Sequence, residues 1–150
     1  MTQRHKLFWT RVIRNGPALT RTETVTLLND MAIMAPSGLI DPAIRWRTID
    51  DRQAEAVFTN GPHEVRAVLV FDDTGALSNF WSDDRPALAA DGMTLQPQRW
   101  STPVSGYRSQ GPYRLASRGE ARYAAPSGEY AYLEFDGIEV KVGRAAPGPR

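Results

Sequence analysis

The sequence contains no cysteine. Disulfides, thiolate metal centres and a cysteine nucleophile are therefore excluded. Histidine is nearly as scarce, with only His5 and His63, so a histidine-rich metal site is excluded too. No long apolar run occurs. The body of the chain offers nothing longer than Ala67 to Phe71, far short of the ~20 residues that cross a bilayer as a helix. Charge of one sign is also missing: 18 Lys+Arg against 17 Asp+Glu leave a net +1, where a nucleic-acid binder carries a basic surplus. The Gly-x-Ser-x-Gly elbow, Gly-x-Gly-x-x-Gly and the phosphate-binding loop are all absent, which weakens nucleophilic hydrolysis and nucleotide cradling alike. No transmembrane segment, nucleic acid, metal or cofactor is expected. What is present, 41% hydrophobic and 23% charged residues in a chain of 150, is the composition of one globular domain.

The chain opens on a basic segment with two readings. Phe8, Trp9, Val12 and Ile13 recur at helical spacing beside Lys6, Arg11 and Arg14, the pattern of a short amphipathic helix (residues 4–14) lying on a membrane surface. The plainer reading makes residues 1–16 an arm or edge strand, because so short a helix is marginal alone. Charges interrupt the apolar residues too early for a secretory leader, which points to the cytoplasm.

Helical periodicity follows. Thr20-Arg21-Thr22-Glu23 fits a capping box, and Pro36 with Gly38 stops what it starts. Between them Val25, Leu27, Leu28, Met31, Ala32 and Met34 form one broad apolar face, opposite Thr26, Asn29 and Asp30. A helix over about 21–35 is predicted. From Ile44 the period shifts towards two. Residues 53–59, 63–71 and 77–82 alternate as strands, separated by Asn60-Gly61-Pro62 and by Asp72-Asp73-Thr74-Gly75, both turn sequences. Residues 83–98 read as a long loop. Strand character returns over 99–107, 113–115, 118–124 and 129–142, with Pro126-Ser127-Gly128 turning the last pair. The expected fold is α+β: a curved antiparallel meander of about six to eight strands with one helix on one face. One domain spans 17–142, and a disordered tail 143–150 follows.

Alternation also puts large rings on both faces of that sheet. On the last strand Tyr130, Tyr132 and Glu134 share one face, and Ala131, Leu133 and Phe135 the other. A sheet apolar on both faces needs cover on both, and one helix covers one.

Several segments resemble an uncharacterised bacterial family. They are Thr22 to Met31, Ala35-Pro36, Ile44-Arg45-Trp46, Ser82-Asp83-Asp84-Arg85, Arg99 to Pro103 and Arg118-Gly119-Glu120-Ala121, in that order along the chain. The resemblance implies no activity. It does imply a β-rich half ahead of the helix, where this chain has about fifteen residues, and hence a truncated relative with an open sheet edge. Open edges invite strand pairing, so a homodimer or a protein partner is expected there. At the level of fold alone, a helix on a meander is similar to the lipoprotein-carrier half-barrels that wrap acyl chains.

The candidate site residues are Asn29, Asp30, Trp81, Asp83, Asp84, Arg85, Arg99, Trp100 and Tyr107. Asp83 and Asp84 offer paired carboxylates for acid–base work or a cation; the plainer alternative is a strand-end turn paired to Arg85. Trp100 and Tyr107 offer apolar walls and Arg99 or Arg85 an anion grip; the alternative is a core tryptophan with a snorkelling arginine. Asn29 and Asp30 face either a helix–sheet cavity or solvent. The leading expectation is a non-catalytic domain holding an apolar small molecule or acyl chain between helix and sheet. An enzyme built on Asp83, Asp84 and Arg85, or a half-domain completed by a partner, are the alternatives.

Overall fold

The computed structural model describes residues 17–137. The basic segment 4–14 and the tail 143–150 lie outside them. The helix, α1, spans Pro17–Met34, so it starts ahead of the expected capping box, with proline at its first position, where the missing N–H costs nothing. Thr24 and Thr26 instead donate their hydroxyls back to the carbonyls of Thr20 and Thr22, at 2.9 and 3.2 Å. A 3-10 turn, Pro36–Ile40, follows.

Twelve strands complete the described chain: β1 Ile44–Asp50, β2 Gln53–Asn60, β3 His63–Phe71, β4 Leu77–Ser82, β5 Ala87–Leu88, β6 Leu95–Gln96, β7 Arg99–Ser101, β8 Val104–Ser105, β9 Arg108–Gln110, β10 Tyr113–Leu115, β11 Arg118–Ala125 and β12 Gly128–Asp136. The main sheet is antiparallel with order β1-β2-β3-β4-β7-β11-β12, and β8 also pairs with β11. The expected loop 83–98 contains the small hairpin β5–β6, and β9–β10 form another. In the β2–β3 turn, Gly61 takes φ +58° ahead of Pro62, the hand that a tight hairpin needs.

α1 packs on β3 and β4. Val25 and Leu28 from the helix, and Val65, Leu69 and Phe80 from the sheet, are fully buried, each contributing about 1.5–3 kcal/mol of apolar burial. The helix is turned relative to its sequence pattern. Thr24 and Asn29 face the core, whereas Leu27 and Met34 are exposed.

The second face of the sheet is mixed, with Val57, Val68, Val70 and Trp81 at its centre. It carries ion pairs from edge to edge: Arg45–Glu64 at 2.9 Å, Arg47–Glu55 at 3.0 Å, Arg99–Asp83 at 2.8 Å, Arg122–Glu120 at 2.6 Å and Arg118–Asp136 at 3.1 Å. Val57 has Arg45 and Arg66 as cross-strand neighbours and is buried among such side chains, whose stems cover apolar surface while their heads stay wet.

The ring count misled because alternation does not survive a bulge. The register between β11 and β12 shifts between Ala121 and Arg122. Tyr123, Ala121 and Gly119 alternate onto the core side, and their partners are Tyr130, Leu133 and Phe135. All three therefore fall on that side, and Tyr132 joins them through its bond to Trp100. The same crossing explains Gly119: a Cβ there would lie 2.4 Å from the Phe135 ring. α1 does not reach β12, so Tyr130, Tyr132 and Leu133 remain about half exposed on an edge strand.

Candidate functional site: a cavity at the end of the helix

The sequence-predicted residues divide into three groups. The first gathers around Arg85, beneath the middle of α1. Arg85 Nε donates to Thr26 Oγ1 at 3.1 Å, and Nη1 donates to the Tyr123 hydroxyl. Its guanidinium lies 4.3 Å from the centre of the Trp100 ring, a cation–π contact. Trp100 is buried, packs edge-on to Phe80 at 6.1 Å, and donates its indole N–H to the Tyr132 hydroxyl at 2.9 Å. Tyr132 stacks on Tyr123 at 5.3 Å. Burial holds the Tyr123 phenol above its ordinary pKa.

Asn29 and Asp30 flank this group. Asn29 is buried and accepts a 2.5 Å bond from Thr102 Oγ1, tying helix to sheet. Asp30 has its pKa raised, chiefly by burial, against the lowering effects of a hydrogen bond with Asn29 and the charge of Arg85. Hydrogen bonds and ring contacts thus tie these side chains to one another.

The second group lies on the opposite face. Asp83 takes both Nε and Nη2 of Arg99, at 2.9 and 2.8 Å, and Arg99 stacks 3.8 Å from the Trp81 ring centre. The Arg99 hydrogen bonds hold the Asp83 carboxyl below its ordinary pKa. Asp84 turns away from Asp83. It accepts the backbone N–H of Arg66 at 2.7 Å and Arg21 Nη2 at 2.6 Å, closing the end of the β3–β4 ladder and anchoring the first turns of α1. The adjacent carboxylates thus serve different partners, and Arg85 pairs with neither. Among the described residues there is no cluster of three or more metal-ligating side chains.

The third group holds one sequence-predicted residue, Tyr107. It borders a cavity of about 200 Å³ where α1 ends. Ala32 and Ile33 of the helix, Leu39 of the 3-10 turn, Leu69 and Phe71 of β3 and Leu77 of β4 form its walls. These residues converge because Pro36 ends the helix above the sheet and the 3-10 turn folds back over the gap. Tyr107 Oη donates to the Leu77 carbonyl at 2.9 Å, which fixes the ring, and burial raises its pKa. Arg114 of β10 sits at the rim, with its guanidinium 5.2 Å from the Tyr107 ring centre. Sequence reasoning missed Arg114, because a cation in a three-residue strand carries no periodic signal.

A wider depression, about 530 Å³, lies over β8, β11 and β12. Four of its charged groups form pairs, Arg118 with Asp136 and Arg122 with Glu120, while Glu134 also lines it.

The sequence profile of a family of unknown function, DUF6544, matches residues 2–135. The chain belongs to DUF6544. That match takes in α1, the sheet up to the penultimate residue of β12, and all three groups. No curated protein and no solved structure matches the chain. No helix among the described residues is long and apolar enough to cross a membrane. Membership of DUF6544 carries no activity with it, so function is argued from the site.

Proposed function

We propose that this domain binds, without transforming, a small molecule whose apolar end enters the cavity between the end of α1 and the sheet. The observation that carries the reading is the cavity itself: a lining of Ala32, Ile33, Leu39, Leu69, Phe71 and Leu77 around about 200 Å³. An apolar space of ~150 Å³ is enough to bind benzene. At roughly 30 Å³ per water-sized group, this one has room for about seven, which suits an aromatic ring or an alkyl chain of about six to eight carbons. A long acyl chain does not fit, because elsewhere α1 packs directly on β3 and β4. Acid–base chemistry at Asp83, Asp84 and Arg85 is less well supported, since the two carboxylates diverge.

Titration with 1-heptanol, followed by methyl NMR of the whole chain, tests the proposal. Saturable shifts are expected at the methyls of Leu39, Leu69, Leu77 and Ile33, with those of Val57 and Val104 unmoved. Shifts that are absent, or spread evenly over the protein, would overturn it.

A second reading is favoured by β12. Its outer edge, which pairs with no other strand among the described residues, its exposed Tyr130, Tyr132 and Leu133, and the acidic Glu134 suit the addition of an extended strand from a partner.

A further inference from the structure

We infer that the molecule entering the cavity is a carboxylate, held by Arg114 at the rim. The inference rests on the binding reading above and adds the head group to it. Most arginines of the described residues are paired: Arg45, Arg47, Arg52, Arg66, Arg99, Arg118 and Arg122 each face a carboxylate. Arg85 is held by Thr26, Tyr123 and the Trp100 ring. Arg114 differs. Like Arg108 of the same hairpin it is exposed and forms no ion pair among the described residues, but Arg114 also lies over the Tyr107 ring at the mouth of the apolar space.

The carboxylate whose field it shares is Asp72. One oxygen of that group serves its own turn, Asp72 Oδ1 accepting the N–H of Thr74 at 2.8 Å, the Thr74 hydroxyl at 2.7 Å and the N–H of Ala76 at 3.0 Å, and Asp72 forms no ion pair with Arg114. Arg114 therefore keeps a guanidinium fork available, and a fork of that geometry accepts a carboxylate through two parallel hydrogen bonds. Tyr107 lies against Arg114, and its bond to Leu77 favours the ring's position at the side of the mouth. An apolar tail inward and a carboxylate outward place each end of a short fatty acid, or of an aromatic acid, against matching chemistry.

The test compares three probes of one chain length, octanoate, 1-octanol and octylamine, against the full chain and against Arg114→Gln, by isothermal titration at neutral pH. Octanoate is expected to bind at least about tenfold tighter than octanol, the effect of one charge-assisted contact. Arg114→Gln is expected to abolish that preference, bringing the ratio of octanoate to octanol affinity to about one. Arg114 is exposed, so the variant is expected to keep the melting temperature of the parent. Equal affinity for octanoate and octanol overturns the head-group inference while the cavity reading stands. Tighter binding of octylamine overturns it in favour of Asp72. Failure of all three probes to bind overturns both.

Discussion

Trp100→Ala is expected to lower stability by about 3–5 kcal/mol, the range for removing a large buried ring. Such a loss is a large part of the ~5–15 kcal/mol that holds a domain folded. Trp100 joins three things: the Phe80 ring that it meets edge-on, the Arg85 guanidinium on its face, and the Tyr132 hydroxyl at its indole N–H. Trp100→Phe separates them. It keeps a ring against Phe80 and Arg85 but loses the hydrogen bond, so a loss of about 1–2 kcal/mol is expected. Urea denaturation of the two variants measures both. Equal losses would show that the indole N–H, not the buried ring, dominates.

Arg85→Met carries the second largest effect, about 2–3 kcal/mol, since it removes two charge-assisted hydrogen bonds and a cation–π contact while keeping the stem. Its pH dependence identifies the mechanism. Folding raises the Asp30 pKa through burial, and Arg85 opposes that rise. Between the unfolded value and the raised one the folded state binds the extra proton, so stability grows as pH falls through that window. Without Arg85 the Asp30 carboxylate loses its compensating charge, and its pKa rises further. The loss on substitution is therefore expected to be largest at neutral pH and smaller at acid pH, below the raised Asp30 pKa, where the carboxyl holds its proton. A loss that is the same at both pH values would remove Asp30 from the account. Combining Arg85→Met with Tyr123→Phe is expected to be non-additive, because the two side chains share a bond and contacting residues couple.

Both variants act on a group of residues that were only partly legible along the chain. Trp100 was readable as a strand residue beside a turn, and as core. Tyr123 was not singled out, although Gly119, Ala121 and Tyr123 alternate with charged residues and so share one face. Arg85 was visible as part of Ser82-Asp83-Asp84-Arg85, but its partners are Thr26, 59 residues earlier, and Tyr123, 38 residues later. No local pattern encodes such separations. The same holds for Asn29. A polar residue on a helix reads as solvated, and only the distant hydroxyl of Thr102 makes its burial favourable.

The fold class followed from local chemistry. One helix ended by Pro36 and Gly38, strands alternating from Ile44, and turns at Gly61 and Gly75 left an antiparallel sheet with a helix on it as the natural arrangement. These features are local because capping, alternation and positive φ act over a few residues. Which face each ring occupies was settled by packing. One bulge moved Leu133 and Phe135 to the same side as Tyr130, and helix rotation exchanged Asn29 for Leu27 in the core. The cavity is also a product of assembly. Its walls come from α1, the 3-10 turn, β3, β4 and β10, and its rim cation from a three-residue strand. A space between elements has no sequence of its own; it exists only where their ends fail to meet.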